Sequence, residues 1–503
     1  MKNKQTILDH LYQVIVYIFI AIMLFLTVYS FLYSHIFESC VLEMIVPKRD
    51  NLPAVLIFSF GSFAGISFLV KHFPPVAERE YILFAGGTVL YLLICFLIYF
   101  DKTPFHPAGD PLFIYQAAAG FLKGDFSALQ PGGYLYQYPY QLGLMTYDML
   151  WIKLAGEGNY MVLIFVNFLS LACTGIVISL VAKRIYGKKC EVICYILYLL
   201  FLPIYFYPCY LYGECLGALF ASAFLYISVR FYENQRLLFF LLLILTEILS
   251  ITFRANSAIM VIAVCIMLAY QAIKNKNGRL LLCILILLFL VKGSGFVTKY
   301  IYQQKSQTKD LSGTPAITWI VMGMMEGPRA NGWYNQYNDE VFTQNNYNSA
   351  KAKEAGLKDF KERTSAFLHD PKYALHFYKE KNLSQWNEPT YESLLVFYDS
   401  LKDIELNDAK NRILFHEGFR FFNTYMNLLQ SFLYLASLMA GIKLLLSQKR
   451  MENVFYLLFP TILIGGFLFQ TMWEAKSRYI FFYMLFLIPL AACGVTGMEK
   501  KSQ

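Results

Sequence analysis

Long apolar stretches dominate the chain, each ended by a short segment carrying charges, proline or glycine. They fall at about 10–33, 53–70, 81–100, 160–182, 191–208, 212–229, 237–252, 256–273, 280–298, 421–447, 454–472 and 478–496. A helix needs about 20 residues to cross the hydrocarbon core of a bilayer, so the pattern predicts roughly twelve spans. Two intervals are too long to be simple connections. The first, 101–159, is only half polar; Asp110-Pro111 reads as a helix start and Gly124 as its stop. Residues 112–122 are apolar almost all round yet too short to span, so they should lie in the membrane interface or on the bundle, with a second amphipathic stretch over about 141–154. The other interval, 299–420, is rich in Asn, Lys, Glu and Tyr and should fold as a small domain.

Composition agrees with the pattern. Of 503 residues, 57% are hydrophobic and 15% charged, whereas a soluble domain carries about a quarter charged residues. The fold class expected is an all-α polytopic membrane protein with about twelve transmembrane helices, interfacial helices in the first outer loop and a small extracytoplasmic α-rich domain. Its divisions are 1–298, a bundle containing the outer loop 101–159; 299–420, the extracytoplasmic domain; and 421–503, the C-terminal spans. The short basic N-terminus precedes an apolar run too long for a signal-peptide core and without a small-residue cleavage site, which reads as a retained first span.

The net charge of +9 points to cytoplasmic loops rather than a nucleic-acid partner. With the N-terminus inside, the inner loops hold 18 Lys and Arg: Lys2, Lys4, Lys71, Arg79, Lys183, Arg184, Lys188, Lys189, Arg230, Arg236, Lys274, Lys276, Arg279, Lys443, Lys449, Arg450, Lys500 and Lys501. The outer connections, the long interval aside, hold 8. Both termini are therefore expected on the cytoplasmic side of the cell membrane. Six of the ten cysteines lie in apolar runs, and neither a CxxC nor zinc-ligand spacing occurs. Cys40, Cys209 and Cys215 fall near an outer surface, where a disulfide could form, but no pairing is indicated. All five tryptophans fall in outer segments, where flat rings suit both the headgroup belt and sugar stacking.

Charges near outer span ends are the candidate chemistry, because ionised groups this close to hydrocarbon are costly and tend to mark functional cavities. These are Asp110, Glu214, Arg254, Glu474, Lys476 and Arg478. Asp110 reads either as a helix cap or as a base. Glu214 reads as the acidic first turn of a helix or as a second site carboxylate. Arg254 could snorkel to the interface or hold a phosphate. Glu474, Lys476 and Arg478 could form local salt bridges of little worth. His106 reads as a loop residue that could hydrogen-bond substrate. Glu247 and Lys292 lie inside apolar runs and could pair within the bundle. No phosphate-binding loop for nucleotides occurs and the inner loops are too short for a nucleotide site, so chemistry is expected outside, with a lipid-linked donor.

The first outer loop carries Asp110-Pro111-Leu112-Phe113-Ile114-Tyr115-Gln116-Ala117, then Lys123-Gly124-Asp125-Phe126, then Tyr138-Pro139-Tyr140-Gln141. This resembles the GT-C membrane glycosyltransferases, in particular the bacterial protein-mannosyltransferase-like and aminoarabinose-transferase-like branch. Asp110 matches the aspartate of that family's Asp-Glu-x-x-Tyr, while Pro111 departs from its glutamate. Glu214 in Tyr-Gly-Glu-Cys-Leu matches a second family acid at the start of a later span. Trp473-Glu474-Ala475-Lys476-Ser477-Arg478-Tyr479 looks like the family's acid-x-x-x-Arg-Tyr, and Gly332-Trp333-Tyr334-Asn335 with Trp386-Asn387-Glu388-Pro389-Thr390 resembles the outer domain of cell-surface polysaccharide versions.

The resemblance implies an inverting transferase that takes a sugar from a polyprenyl-phosphate donor to an extracytoplasmic glycan, lipid or protein acceptor. It needs membrane lipids, no nucleic acid, no cofactor and no metal. Asp110 would be the catalytic base; Arg254, Lys476 and Arg478 would hold the donor phosphate; Glu214, Glu474, His106, Tyr138 and Gln141 would serve the acceptor or orient the cations. A polymerase or ligase using lipid-pyrophosphate oligosaccharides, or a non-enzymatic transporter, are the alternatives, the last expected to show broken helices and internal repeats.

Overall fold

The structure is a computed structural model that describes residues 2–72, 80–402, 404–447 and 453–498, with the main chain alone for 2–7. Arg79, Lys449, Arg450, Lys500 and Lys501, and the side chains of Lys2 and Lys4, lie outside the described residues.

Chain order begins with α1 (Lys2–Leu32), an antiparallel hairpin of β1 (Tyr33–Phe37) and β2 (Ile45–Arg49), α2 (Leu52–His72) and α3 (Glu80–Tyr99). The first long outer segment holds α4 (Asp110–Leu122), the single turn α5 (Tyr134–Gln137) and α6 (Leu142–Ala155). Then come α7 (Tyr160–Tyr186), α8 (Lys188–Leu200), α9 (Pro203–Phe206), α10 (Glu214–Asn234), α11 (Leu237–Phe253), α12 (Ala258–Asn275) and α13 (Gly278–Ser306). The second holds α14 (Ala316–Met322), α15 (Tyr337–Gln344), α16 (Ser349–His369), α17 (Pro371–Trp386), α18 (Ser393–Asp399) and α19 (Asp408–Phe415). The chain closes with α20 (Glu417–Leu446), α21 (Leu458–Met472) and α22 (Ser477–Thr496).

All twelve apolar runs are helical, and the protein is an all-α multi-pass membrane protein. Among the described residues, ten helices are long and apolar enough to cross a bilayer. The 237–252 run is α11, at 17 residues a short crossing. The 191–208 run is broken: Lys188–Leu200 and Pro203–Cys209 meet at a bend of 55°. Pro203 lacks an amide donor and its ring crowds a preceding helical turn, which disfavours continuation, and here it opens the second helix instead. The expected interfacial helices are α4, with Gly124 (φ +86°) just past its end, and α6.

The most enclosed helix of the bundle is α22, in whose apolar window 89% of residues are buried, against 11% for α3 and α13 at the periphery. Close helix approach explains part of this. A Cβ built on Gly494 of α22 would lie 1.7 Å from the Ala436 carbonyl oxygen of α20, so no larger residue fits. Mid-bundle, Glu247 is fully buried with no partner among the described residues. Lys292 is exposed on α13, so the two do not pair within the bundle. Every described cysteine is free, Cys40, Cys209 and Cys215 included.

Residues 386–401 plug one end of the bundle. Trp386 packs on Phe467 and Tyr483, and its carbonyl accepts from Gln430 Nε2 at 3.0 Å and Tyr434 Oη at 2.5 Å. The β-hairpin, which the apolar pattern does not reveal, is tied to this plug. The His35 amide donates to the Asn387 carbonyl at 2.9 Å.

Candidate active site

Three local devices bring side chains to one cavity of about 480 Å³ at the end of the bundle where the two long outer segments meet. The first is the α8–α9 break, after which Pro208 turns the chain and Asn167 Nδ2 holds its carbonyl at 2.9 Å. The segment then presents Tyr210 and Tyr212 before Gly213 opens α10. Gly213 sits at φ +91°, and a Cβ there would lie 2.5 Å from the Phe253 carbonyl oxygen, so only glycine makes this turn.

A second device is the turn at 388–392. The Glu388 carboxylate accepts from Thr390 N, Thr390 Oγ1 and Glu392 N at 2.5–2.9 Å. Burial nevertheless pushes its carboxyl up to about 7. Those bonds hold Tyr391 and Glu392 at φ +52° and +59°, a left-handed conformation costly for both. The strained turn aims the Glu392 side chain at the cavity. There the carboxylate accepts from Ser477 Oγ and the Arg478 amide, both at 3.2 Å.

The third is buried Lys381, whose Nζ donates to the carbonyls of Gly323 (2.6 Å), Thr471 (2.9 Å) and Trp473 (2.7 Å). Burial pulls its ammonium down to about 7. This clamp fixes the 473–476 loop and with it Glu474 and Lys476.

Asp110 is the first residue of α4, not its cap. The cap is Gly109 (φ +60°), and no side chain makes a capping bond. The capping interpretation of Asp110 is thereby set aside: Pro111 follows as expected, but the helix begins one residue earlier. The half-exposed carboxylate instead lies 3.6 Å from Arg478 Nη2. The Arg478 guanidinium is caged by the rings of Tyr210, Tyr212 and Tyr479, 5.2–5.6 Å from each centroid. It forms no side-chain hydrogen bond among the described residues, and its Nε is buried and unpartnered.

Neighbouring cations are already engaged. Lys476 Nζ lies 2.6 Å from Glu43 and Arg329 Nη1 lies 2.9 Å from the same carboxylate. Although burial works against it, these partners hold Glu43 below the ordinary carboxylate range. Glu474 is buried and accepts from Tyr479 Oη at 3.3 Å. Burial pushes its carboxyl up to about 7, against the pull of Lys476 and Arg478. On the opposite wall Tyr138 Oη donates to Asp339, which also accepts from Tyr334 Oη at 2.5 Å. The Trp319 ring, stacked on Trp473 at 5.8 Å, adds an aromatic face.

Of the residues singled out in the sequence, Asp110, Tyr138, Glu474, Lys476 and Arg478 line the cavity. Glu214 and Arg254 do not. They form a buried ion pair of 3.1 Å behind Tyr212 and Tyr479, and Arg254 lies 5.9 Å from both ring centroids. His106 points outward, its ring against Tyr160, and Gln141 is buried outside the lining. Glu43, Tyr210, Tyr212, Arg329, Asp339 and Glu392 also line the cavity and escape the sequence reading. Glu392 lies two residues past the stretch ending at Thr390, and Glu43 reaches the site only because the hairpin folds its turn there.

Fold and site together define a multi-pass helical membrane protein with a charged, tyrosine-rich cavity at one end of the bundle. No protein-family model matches the chain, and no curated protein does. Among solved structures it is similar to ArnT from Cupriavidus metallidurans in the apo state, at 11% identity and TM-score 0.33, covering 84% of this chain and 78% of that one. The same enzyme bound to undecaprenyl phosphate matches with the same identity, coverage and TM-score. A likeness of that degree is too loose to assign a family.

Proposed function

We propose that the chain is a membrane glycosyltransferase of the GT-C kind that moves a sugar from a polyprenyl-phosphate donor to an acceptor hydroxyl outside the membrane. The observation that carries this reading is the pairing of Asp110 with Arg478 on one wall of the cavity. A carboxylate free to take a proton stands 3.6 Å from a guanidinium whose donors are uncommitted. In the mechanism Asp110 takes the proton of the acceptor hydroxyl. The oxygen attacks the anomeric carbon, the bond from that carbon to the phosphate oxygen breaks, and polyprenyl phosphate departs with the electron pair. Arg478 meets the developing charge with directed N–H groups. Trp319 offers a face for the sugar ring, and Glu392 and Glu474 accept its hydroxyls.

Because Lys476 and Arg329 share Glu43, Arg478, held only by the longer 3.6 Å contact to Asp110, is the most available cation among the described cavity residues. One open cation suits a monophosphate donor better than a pyrophosphate, which favours this reading over the polymerase or ligase. Arg254 and Glu214 brace the tyrosine cage from behind rather than touching the donor. The cavity faces outward in this reading, with both termini cytoplasmic and 299–420 as the extracytoplasmic part. As a test, purified protein is given a panel of polyprenyl-phosphate hexoses and release of polyprenyl phosphate is measured. Arg478→Ala should lower turnover about 10²-fold, and Arg478→Lys should recover only part, since a point charge cannot reproduce the planar fork. No release from any donor by the unaltered protein would overturn the proposal.

A further inference from the structure

A second cavity, about 450 Å³, lies between the β-hairpin, the start of α2 and the first turns of α20. It shares no lining residue with the first. Lys48, Arg49 and Arg420 stand on it, all exposed and none in an ion pair among the described residues. Lys476, Arg329 and Arg254, at or behind the first cavity, each have a carboxylate partner, whereas these three cations stand together on one cavity with none among the described residues.

The interior is built differently. Asp50 Oδ1 accepts from Ser34 Oγ at 3.1 Å and Asn427 Nδ2 at 2.8 Å, which orients both side chains. That leaves Asp50 Oδ2 and Asn427 Oδ1 buried without a donor, and Asn427 is only 8% exposed. Buried acceptors without donors are costly, and a ligand hydroxyl would satisfy them. Just past the cavity α2 turns apolar side chains outward, with Ile57 74% and Phe60 52% exposed, and Phe421 beside it on α20 is 66% exposed. A polar cavity directly above lipid-facing side chains suits a headgroup whose chains run down those helices.

We infer that this cavity binds an anionic phospholipid with a hydroxylated headgroup, of the phosphatidylglycerol type. Its phosphate sits among Lys48, Arg49 and Arg420, and its hydroxyls donate to Asp50 and Asn427. The volume is within the range of small-ligand sites. The site is independent of the proposed transfer reaction, but the hairpin connects the two: Lys48 and Arg49 lie at its base here, and Glu43 near its turn holds Lys476 there.

The full chain is titrated with phosphatidylglycerol, phosphatidylcholine and free glycerol phosphate in detergent, and bound species are counted by native mass spectrometry. Phosphatidylglycerol should bind one saturable site more tightly than phosphatidylcholine. Lys48→Ala, Arg49→Ala and Arg420→Ala together should weaken it roughly 100-fold, by the usual contribution of a basic residue near an anionic headgroup. The charge-keeping pair Lys48→Arg and Arg420→Lys should bind within about threefold of the unaltered protein. A photo-crosslinking residue at exposed Thr424, with the three cations intact, should capture phosphatidylglycerol even if the triple variant fails to fold. Equal affinity for the two lipids, unchanged binding by a folded triple variant, or no lipid captured at Thr424 would each overturn the inference. Glycerol phosphate binding as tightly as the lipid would overturn the lipid assignment in favour of a soluble phosphate.

Discussion

Asp110→Asn removes a proton acceptor and one negative charge while keeping the shape of the side chain. The structure limits the cost to folding. Gly109 caps α4 and Asp110 makes no capping bond, so none is lost. The contact with Arg478 is 3.6 Å long and the Asp110 side chain is 39% exposed, a pairing worth about 0–1 kcal/mol. A negative charge in the first helical turn adds roughly 0.3–1 kcal/mol. Together these come to less than about 2 kcal/mol, a fall in melting temperature of a few degrees at most. Loss of a general base costs on the order of 10²–10⁴ in rate. Binding should move the other way: with Asp110 neutral, less negative charge offsets Arg478, and polyprenyl phosphate should bind as tightly as before or more so. Transfer is read as release of polyprenyl phosphate, affinity by titration with polyprenyl phosphate, and stability by thermal unfolding of the same preparation. Asp110→Ala should match asparagine in stability, whereas a capping aspartate would cost about 1 kcal/mol more as alanine. Turnover within about threefold of the unaltered protein would refute Asp110 as the base. The next carboxylates to test would then be Glu392 and Glu474, which line the cavity, rather than Glu214, which is bound to Arg254 behind it.

Arg254→Ala should act mainly on stability, because it leaves Glu214 buried and unpaired at a cost of about 3–5 kcal/mol. Adding Glu214→Gln should recover much of the loss, while an unchanged melting temperature with weaker polyprenyl phosphate binding would return Arg254 to the phosphate. Glu474 gives a pH signature. Its carboxyl rises from 4.5 to about 7 on folding, so the folded state holds that proton more tightly. Its stability contribution is therefore greatest below the unfolded value and is lost as pH rises through 7, by up to about 3 kcal/mol. Glu474→Gln should flatten the melting temperature between pH 5 and 8 and raise it at pH 8; parallel curves would refute the assignment. For orientation, cysteines at the exposed positions Lys102 and Asn346 should react with an impermeant reagent outside intact cells, and one at Lys276 should not. Labelling at Lys276 alone would invert the topology and remove the outer lipid-linked donor.

What was legible in the sequence was whatever depends on local composition. Twelve apolar runs are twelve helical regions because a main chain in hydrocarbon must satisfy its own hydrogen bonds, and only helix does so within one segment. The interfacial helix α4 was legible to within a residue at each end, since proline and glycine punctuate the chain through their own backbone limits. Of the charges near span ends, Asp110, Glu474, Lys476 and Arg478 do line the cavity, in keeping with the cost of burying a charge near lipid.

Contact between segments distant in sequence was decided by tertiary structure alone. Nothing local distinguishes Arg478 from Arg254; packing leaves the first open to the cavity and seals the second against Glu214. Glu43 and Glu392 are unremarkable in the sequence and join the site only because the hairpin after α1 and the strained turn between α17 and α18 meet beside α22. The break after α8 follows from Pro203, but its consequence, two tyrosines around a guanidinium, depends on where α22 lies. Periodicity and composition act over a few residues. Which buried charge finds a partner, and which is left free for a ligand, is settled by the packing of the whole bundle.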